Sequence, residues 1–366
     1  MRLATIFCVL IFSGQTAFAQ DHALAMHGAP QLAADFTHYN YASPNALQGR
    51  TLKQAQIGSF DSLNPFSIRG NAAKNIRERV FESLLDRHYD ESFSLYGLLA
   101  ETVTAAPDRS SVTFTIRRQA KFADGKPVTA ADVAFTWQLL RGQGRPNHRY
   151  YYDQVETLTT PNNRTVTFTF KPSPPDRELP LIIGLMPILP KHIYSERDIQ
   201  AASLNLPLGS GPYEIAEVTP GAQVRFEKRA DYWAANLPHN RGRHNFAVIL
   251  EDYYRDEATA FEAFKAGDLD IWFESNPQRW TTGYNFPAAN DGRIVKENIT
   301  LGTPSGLRAF VMNTRRPLLA NRALRKAMDL TFDFLDKQNS LWRCLSPYRK
   351  LFRQYGTERQ RQTDER

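Results

Sequence analysis

Two kinds of hydrophobic patterning alternate along the chain. In "SSVTFTIRR" at 110–118 and "RTVTFTF" at 164–170, apolar and polar residues swap at every position, which predicts half-buried strands. "LKQAQIGSFDSLNPF" at 52–66 predicts a strand followed by a polar loop. "AQVRFEKRADYW" at 222–233 predicts a strand and turn, and "AVILEDYY" at 247–254 runs from apolar to polar and aromatic. Further strands are expected in "LDIWF" at 269–273 and "GLRAFVMNT" at 306–314. Elsewhere the period lengthens. "NIRERVFESLLDR" at 75–87 places Ile76, Val80, Phe81, Leu84 and Leu85 on one helical face, a stripe expected to enter the core.

Local punctuation agrees with these readings. "FADGKPVT" predicts a tight turn at Gly125, after which Thr129 caps a helix over "AADVAFTWQLL" with Asp132 three residues on, an acidic capping box. "DEATAFEAFKAG" predicts a helix that starts at Asp256 and stops at Gly267. "NRALRKAMDLTFDF" at 321–334 is amphipathic and helical. "LPLGSGPYEIAEV" reads as a Gly/Pro loop running into a strand, and "KPSPPDRELP" and "MPILPKH" suit loops and edges. No internal repeat or low-complexity tract is present, and strands alternating with helices argue an α/β class.

The first residues change the picture. Arg2, the apolar run Leu3 to Phe12 and the small-x-small triplet Ala17-Phe18-Ala19 predict a cleaved export signal over 1–19. The run is about half the length needed to cross a bilayer, and Cys8 within it does not suit lipid attachment. The expected mature chain is soluble and periplasmic, with Cys344 its lone cysteine and therefore no intrachain disulfide. The formal charge is +7, but Leu335 to Arg366 carries eight Lys/Arg against four Asp/Glu. Arg2 adds one more positive charge, which leaves +2 for Gln20 to Phe334 and implies no polyanionic partner. No nucleic acid and no membrane span are expected.

Candidate chemistry is sparse. "GSGP" lacks the Gly-Lys-Ser/Thr of a phosphate loop, no G-x-S-x-G elbow occurs, and "GTPSG" has the wrong spacing. His239 and His244 read as a solvated pair, because no third ligand supports a metal site. No cofactor, metal or enzymatic activity is expected. Abundant aromatics, including loop clusters at 149–154 and 278–287, suit an aromatic-lined binding cleft.

Several stretches together resemble the family 5 (cluster C) extracellular solute-binding proteins of bacterial ABC importers, most closely the oligopeptide and microcin-C-type branch. They are "LAETVTAAPDRSSVTFTIRRQAKFADGKPVTAADVAFTWQLL", "GSGPYEI", "FEKRADYW", "EAFKAGDLDI" and "FVMNTRRPLLANRALRKAMDLTFDF", in the family's order over about 47–334. The resemblance implies a periplasmic-binding-protein type II-like fold of two α/β lobes that close on a ligand by hinge motion. Lobe I would comprise 20–76 and 205–300, with an inserted subdomain at 77–204, and lobe II would begin at 301–334. The implied partners are a peptide ligand and the importer's permease and ATPase, with the protein a monomer. The same scaffold also suits nickel chelates, heme or sugars, and an exported hydrolase is a further alternative. The loop "SFDSLNPF" sits where lobe I meets ligand in the family, which makes Phe60, Asp61, Leu63 and Asn64 the candidate binding residues.

The resemblance breaks after Phe334. Read from the second base of the Leu335 codon, codons permitted for "LDKQNSLWRCL" yield "WTNKTLYGAV", close to the family's continuation. The expectation is that 335–366 is that continuation out of frame, so that lobe II is largely missing and clamp closure impaired. Cys344 and the basic tail would then carry no function.

Overall fold

The computed structural model describes residues 21–172, 176–299 and 311–331. The expected signal at 1–19, most of the strand expected at 306–314 and the tail at 335–366 lie outside them. The strands are β1 (Ala23–Ala25), β2 (Thr51–Ile57), β3 (Leu85–Arg87), β4 (Ser94–Gly97), β5 (Ala100–Ala105), β6 (Ser111–Ile116), β7 (Val155–Asn162), β8 (Thr165–Phe170), β9 (Tyr213–Thr219), β10 (Gln223–Lys228) and β11 (Val248–Tyr254). The helices are α1 (Ile76–Val80), α2 (Ala130–Gln143), α3 (Pro146–Tyr152), α4 (Leu179–Gly184), α5 (Lys191–Tyr194), α6 (Glu257–Ala266), α7 (Pro277–Thr282), α8 (Pro287–Asn290), α9 (Pro317–Ala320) and α10 (Arg322–Leu330). The result is a mixed α/β fold, as the patterning predicts.

One compact unit runs to Ile271 and contains three sheets. The antiparallel sheet β5-β6-β8-β7 follows from its sequence. Val112 and Phe114 on β6 face Phe168 and Val166 on β8, and the alternation buries these four while the intervening threonines stay half-exposed. Helix α2 packs against β7 and β8. Its N-terminus is fixed by the expected capping box: the Thr129 N–H donates to Asp132 Oδ2 at 2.9 Å. The turn before it has Gly125 at φ +83°, a left-handed conformation that favours glycine. The mixed sheet has order β2-β11-β10-β9, with β2 and β11 parallel. A three-stranded sheet, β1-β4-β3, completes the unit.

Two expectations change. The stripe at 76–85 is core, but only Ile76–Val80 is helical. The Val80 carbonyl accepts from the Gly211 N–H at 2.9 Å, and the Ser83 and Leu84 carbonyls accept from Leu99 at 3.3 Å and from Leu98 and Ala100 at 2.9 Å. Non-local partners therefore take the carbonyls on which a longer helix would depend. The glycines of "GSGP" make this possible, since a Cβ at Gly209 or Gly211 would collide with the Val80 carbonyl group. "LDIWF" forms no strand, only a bridge from Ile271 to Gln54. The Asp270 carboxylate takes the Lys53 N–H at 2.7 Å, and Asp270 N donates to the Lys53 carbonyl at 2.9 Å. The side chain thus occupies a ladder position beside β2.

The second compact unit includes 272–299 and the described part of 311–331. Helices α7 to α10 bury no residue. Asn276 and Asn321 cap α7 and α10, each accepting from two backbone N–H groups. Glu274 accepts from Arg279 Nε at 2.6 Å and from the Tyr284 hydroxyl at 3.0 Å.

Candidate functional site

Strands β2 and β11 run parallel, so their carboxyl ends, Ile57 and Tyr254, reach the same sheet edge. Ligands of open α/β sheets sit outside such ends. The loop carrying Phe60, Asp61, Leu63 and Asn64 leaves from this edge. Gly58 N donates to the Tyr254 carbonyl at 2.8 Å, and the Ser59 hydroxyl donates to the Gly221 carbonyl at 3.1 Å.

The four candidates occupy different environments. Phe60 and Leu63 are buried, with the Phe60 ring 4.8 Å from that of Tyr253. Asn64 is half-buried: its amide donates to the Ile199 and Ala201 carbonyls, both at 2.9 Å, and its Oδ1 accepts from Phe66 N at 3.0 Å. Asp61 alone is exposed, and its Oδ1 accepts from Asn71 N at 2.6 Å. Two packed side chains and one amide clamp therefore fix the loop, and Asp61 is presented at its surface. Sequence reasoning missed Tyr253, whose hydroxyl accepts from Lys74 N at 2.7 Å and pins the neighbouring segment.

Beneath the edge lies a buried polar cluster. Glu251 on β11 is fully buried and accepts from Gln54 on β2 at 2.7 Å, Asn75 at 2.6 Å and Arg79 of α1 at 2.8 Å. The Arg79 guanidinium also stacks over Phe226, 4.7 Å from the ring centroid. Burial raises the Glu251 carboxyl against the pull of Arg79, and burial lowers the arginine. This cluster ties both parallel strands to α1 and stiffens the edge. Its signal was a carboxylate on the inward face of "ILEDYY", in register with Ile249.

A second polar centre holds β3 to the segment after β10. Glu82 accepts from the Tyr232 hydroxyl and from Trp233 Nε1 at 2.9 Å. Burial pushes this carboxyl up to about 7, against the hydrogen bonds that pull it down. Asp86 accepts from Arg243 at 2.6 Å and from the Tyr39 hydroxyl at 3.3 Å. Burial opposes its ionisation, but Arg243 holds its carboxyl below the usual carboxylate range. The expected solvated histidine pair is corrected here. His239 is 3% exposed, edge-on to Phe36 and Tyr39, and His244 is half-buried with Nε2 3.1 Å from Asn240 Oδ1. Burial depresses them to about 4 and about 3, so both are neutral at pH 7. The covering rings come from a segment 200 residues away in sequence, beyond the reach of any local pattern. Beside this centre opens a cleft of about 520 Å³, lined by α1, β3, α3 and α4 among others.

The matching family model, bacterial extracellular solute-binding proteins, family 5 Middle, covers residues 94–342. The peptidoglycan-binding protein YepA of Agrobacterium fabrum is 41% identical over 87% of this chain and 54% of its own length. A protein of the same organism named "Probable peptide-binding protein YejA" is 38% identical over 84% of this chain and 51% of its own. The chain thus spans about half the length of these relatives. The oligopeptide-binding protein AppA of Bacillus subtilis, solved with a nonapeptide, superposes with a TM-score of 0.55 at 23% identity, covering 66% of this chain and 47% of that one. At that identity the likeness is one of fold. Among the described residues no helix is long and apolar enough to cross a membrane. Family and fold are those of solute-binding proteins rather than of enzymes, and the chain belongs to the bacterial extracellular solute-binding proteins, family 5.

Proposed function

We propose that this chain is the solute-binding component of an ABC importer of peptides, exported to the periplasm behind a signal at 1–19. The family match over 94–342 carries this reading, and the peptide-binding name of one relative supports it. In this reading 20–76 and 205–300 form lobe I, 77–204 is its inserted subdomain, and 301–334 begins lobe II. The stiffened carboxyl edge of β2 and β11 is the lobe I wall of the cleft. The loop with Phe60, Asp61, Leu63 and Asn64 borders the peptide, and the exposed Asp61 carboxylate is its charged contact. A rigid edge suits this task, because a wall that orders on binding would forfeit affinity. The importer's permease and ATPase are the partners, and the protein acts as a monomer.

Thermal-shift screening of a frame-restored chain, read in the second frame from Leu335 onward, against tri- to nonapeptide pools tests the reading, with nickel–histidine, hemin and oligosaccharide arms alongside. A saturable shift with peptides, weakened by Asp61→Asn, is expected. A shift confined to a non-peptide arm would replace peptide with that solute class.

A further inference from the structure

The side chain of Tyr39 plugs a socket in the first unit. Of residues 33–45, Tyr39 and Ala42 alone are buried. Among the described residues, no backbone group of this stretch bonds to the backbone of another segment. It is tethered at its two ends. Gln31 N donates to Glu91 at 3.1 Å and Leu32 N to the Tyr96 hydroxyl at 3.0 Å, and Gly49 N donates to the Asn245 carbonyl at 2.8 Å. Between these tethers it is held by side-chain contacts, chiefly those of the Tyr39 ring, and two histidines wall the socket that this ring enters. The His88 ring lies 4.8 Å from it and the His239 ring 5.6 Å, centroid to centroid, both nearly perpendicular to it. Phe36 stacks on Tyr39 and meets His239 edge-on at 5.1 Å. His88 and His239 are 4% and 3% exposed, and among the described residues none of their four ring nitrogens has a hydrogen-bond partner.

Protonation would add a donor to each ring, find no acceptor for it, and leave a cation in a desolvated aromatic socket. The surrounding charges pull both ways. Around His239, Asp86 favours the cation, while Arg117, Arg243 and His22 oppose it. Around His88, Glu91, Asp90 and Asp86 favour it and Arg243 opposes it. Two of these carboxylates are already engaged. Asp86 is paired with Arg243 at 2.6 Å and accepts from the Tyr39 hydroxyl, and Glu91 accepts from the Tyr96 hydroxyl and Gln31 N. On the stretch itself the titratable groups are Asp35, His38, Tyr39 and Tyr41, and His38 Nδ1 is 2.9 Å from the Thr37 hydroxyl. Burial outweighs the favourable charges and lowers both socket histidines. Withdrawal of Tyr39 lets water reach the rings and returns them toward the ordinary value of 6.5. The closed form therefore holds fewer protons than the open one. Its advantage is full above pH 6.5 and is lost as pH falls toward 4. We propose that residues 33–45 are an acid-released strap: protonation of His88 and His239 ejects Tyr39 and frees the stretch while the sheets remain folded.

Hydrogen exchange of the full 366-residue chain, read by mass spectrometry and corrected for the intrinsic rate, tests this between about pH 6.5 and 5, above the ordinary carboxylate range. Opening of 33–45 should rise by up to about tenfold per pH unit for each histidine that titrates, while β6 and β8 keep their protection. Glu82 titrates in the same window with the opposite sign, because its protonated form is the one the folded state favours, so it does not mimic the effect. His88→Phe combined with His239→Phe should flatten the slope. Should that double variant not fold, Tyr39→Leu decides. Without the plug, 33–45 should exchange fast at pH 7 and show no slope, with β6 and β8 still protected. The inference is overturned if exchange of 33–45 is flat across the window, or if β6 and β8 loosen in parallel. It is equally overturned if the slope survives in the double histidine variant or in Tyr39→Leu.

Discussion

The sheet β5-β6-β8-β7 and the centre around Glu82 and Asp86 both hold distant segments together, but with opposite chemistry. In the sheet, Val112, Phe114, Val166 and Phe168 are fully buried and present no polar atom to one another. In the polar centre, Glu82, Tyr39, Tyr232 and His239 are packed almost as deeply, Asp86 and Arg243 are half-buried, and their contacts are directional. The dry region gains from area removed from water and is indifferent to pH. The polar region gains from satisfied geometry and depends on the protonation of each member. Directional bonds fix angles better than apolar contact does.

Four experiments would break or sharpen this contrast. Phe168→Ala should cost the most, about 3–5 kcal/mol in denaturant unfolding, with the loss unchanged between pH 5 and 8. A pH-dependent loss there would erase the distinction. Arg243→Met should cost about 2 kcal/mol by leaving the half-buried Asp86 without its ion pair, and adding Asp86→Asn should recover part of it. Strict additivity of the two changes would show that the pair does not act as one unit.

Glu82 gives the third test, through sign rather than size. Its folded pKa of about 7 lies above the ordinary carboxylate value. The folded state therefore holds a proton that the unfolded chain releases, so this carboxyl's contribution is full at low pH and is lost as pH rises through 7. Glu82→Gln removes that loss. The variant should gain on the wild type by about 2–3 kcal/mol between pH 5 and 8, and parallel stability curves would refute the assignment. The smallest effect belongs to the polar face of the sheet. Thr113→Val removes a hydroxyl contact of 2.9 Å to Thr167 and should change stability by less than about 0.5 kcal/mol. A larger loss would mean that the outer face of the sheet is not the passive one.

Local rules made the elements they govern legible. Thr129 with Asp132, Asp256 accepting from Thr259 N at 2.8 Å, and Gly267 at φ +90° all act where the sequence placed them. The alternation of β6 and β8 likewise named their buried faces. Legibility failed where a distant segment outbid a local one. Gly211 claims the carbonyl on which a longer α1 would depend, Asp270 takes the ladder position beside Lys53, and Phe36 and Tyr39 cover His239. At the candidate edge the sequence offered the loop, but the Glu251 cluster that braces it draws on residues 54, 75, 79 and 251, which no spacing rule connects.

The close approach of Gly209 and Gly211 to Val80 has a topological consequence. The chain leaves the vicinity of the mixed sheet just after Val80 and returns at Gly211, and one 2.9 Å hydrogen bond joins the two points. Everything between them, including two of the three strands of β1-β4-β3 and all four of β5-β6-β8-β7, begins and ends at a single doorway. The glycine pair thus pins the two ends of a long excursion to each other, and because a Cβ at either position would strike the Val80 carbonyl group, one added methyl there would open both ends at once.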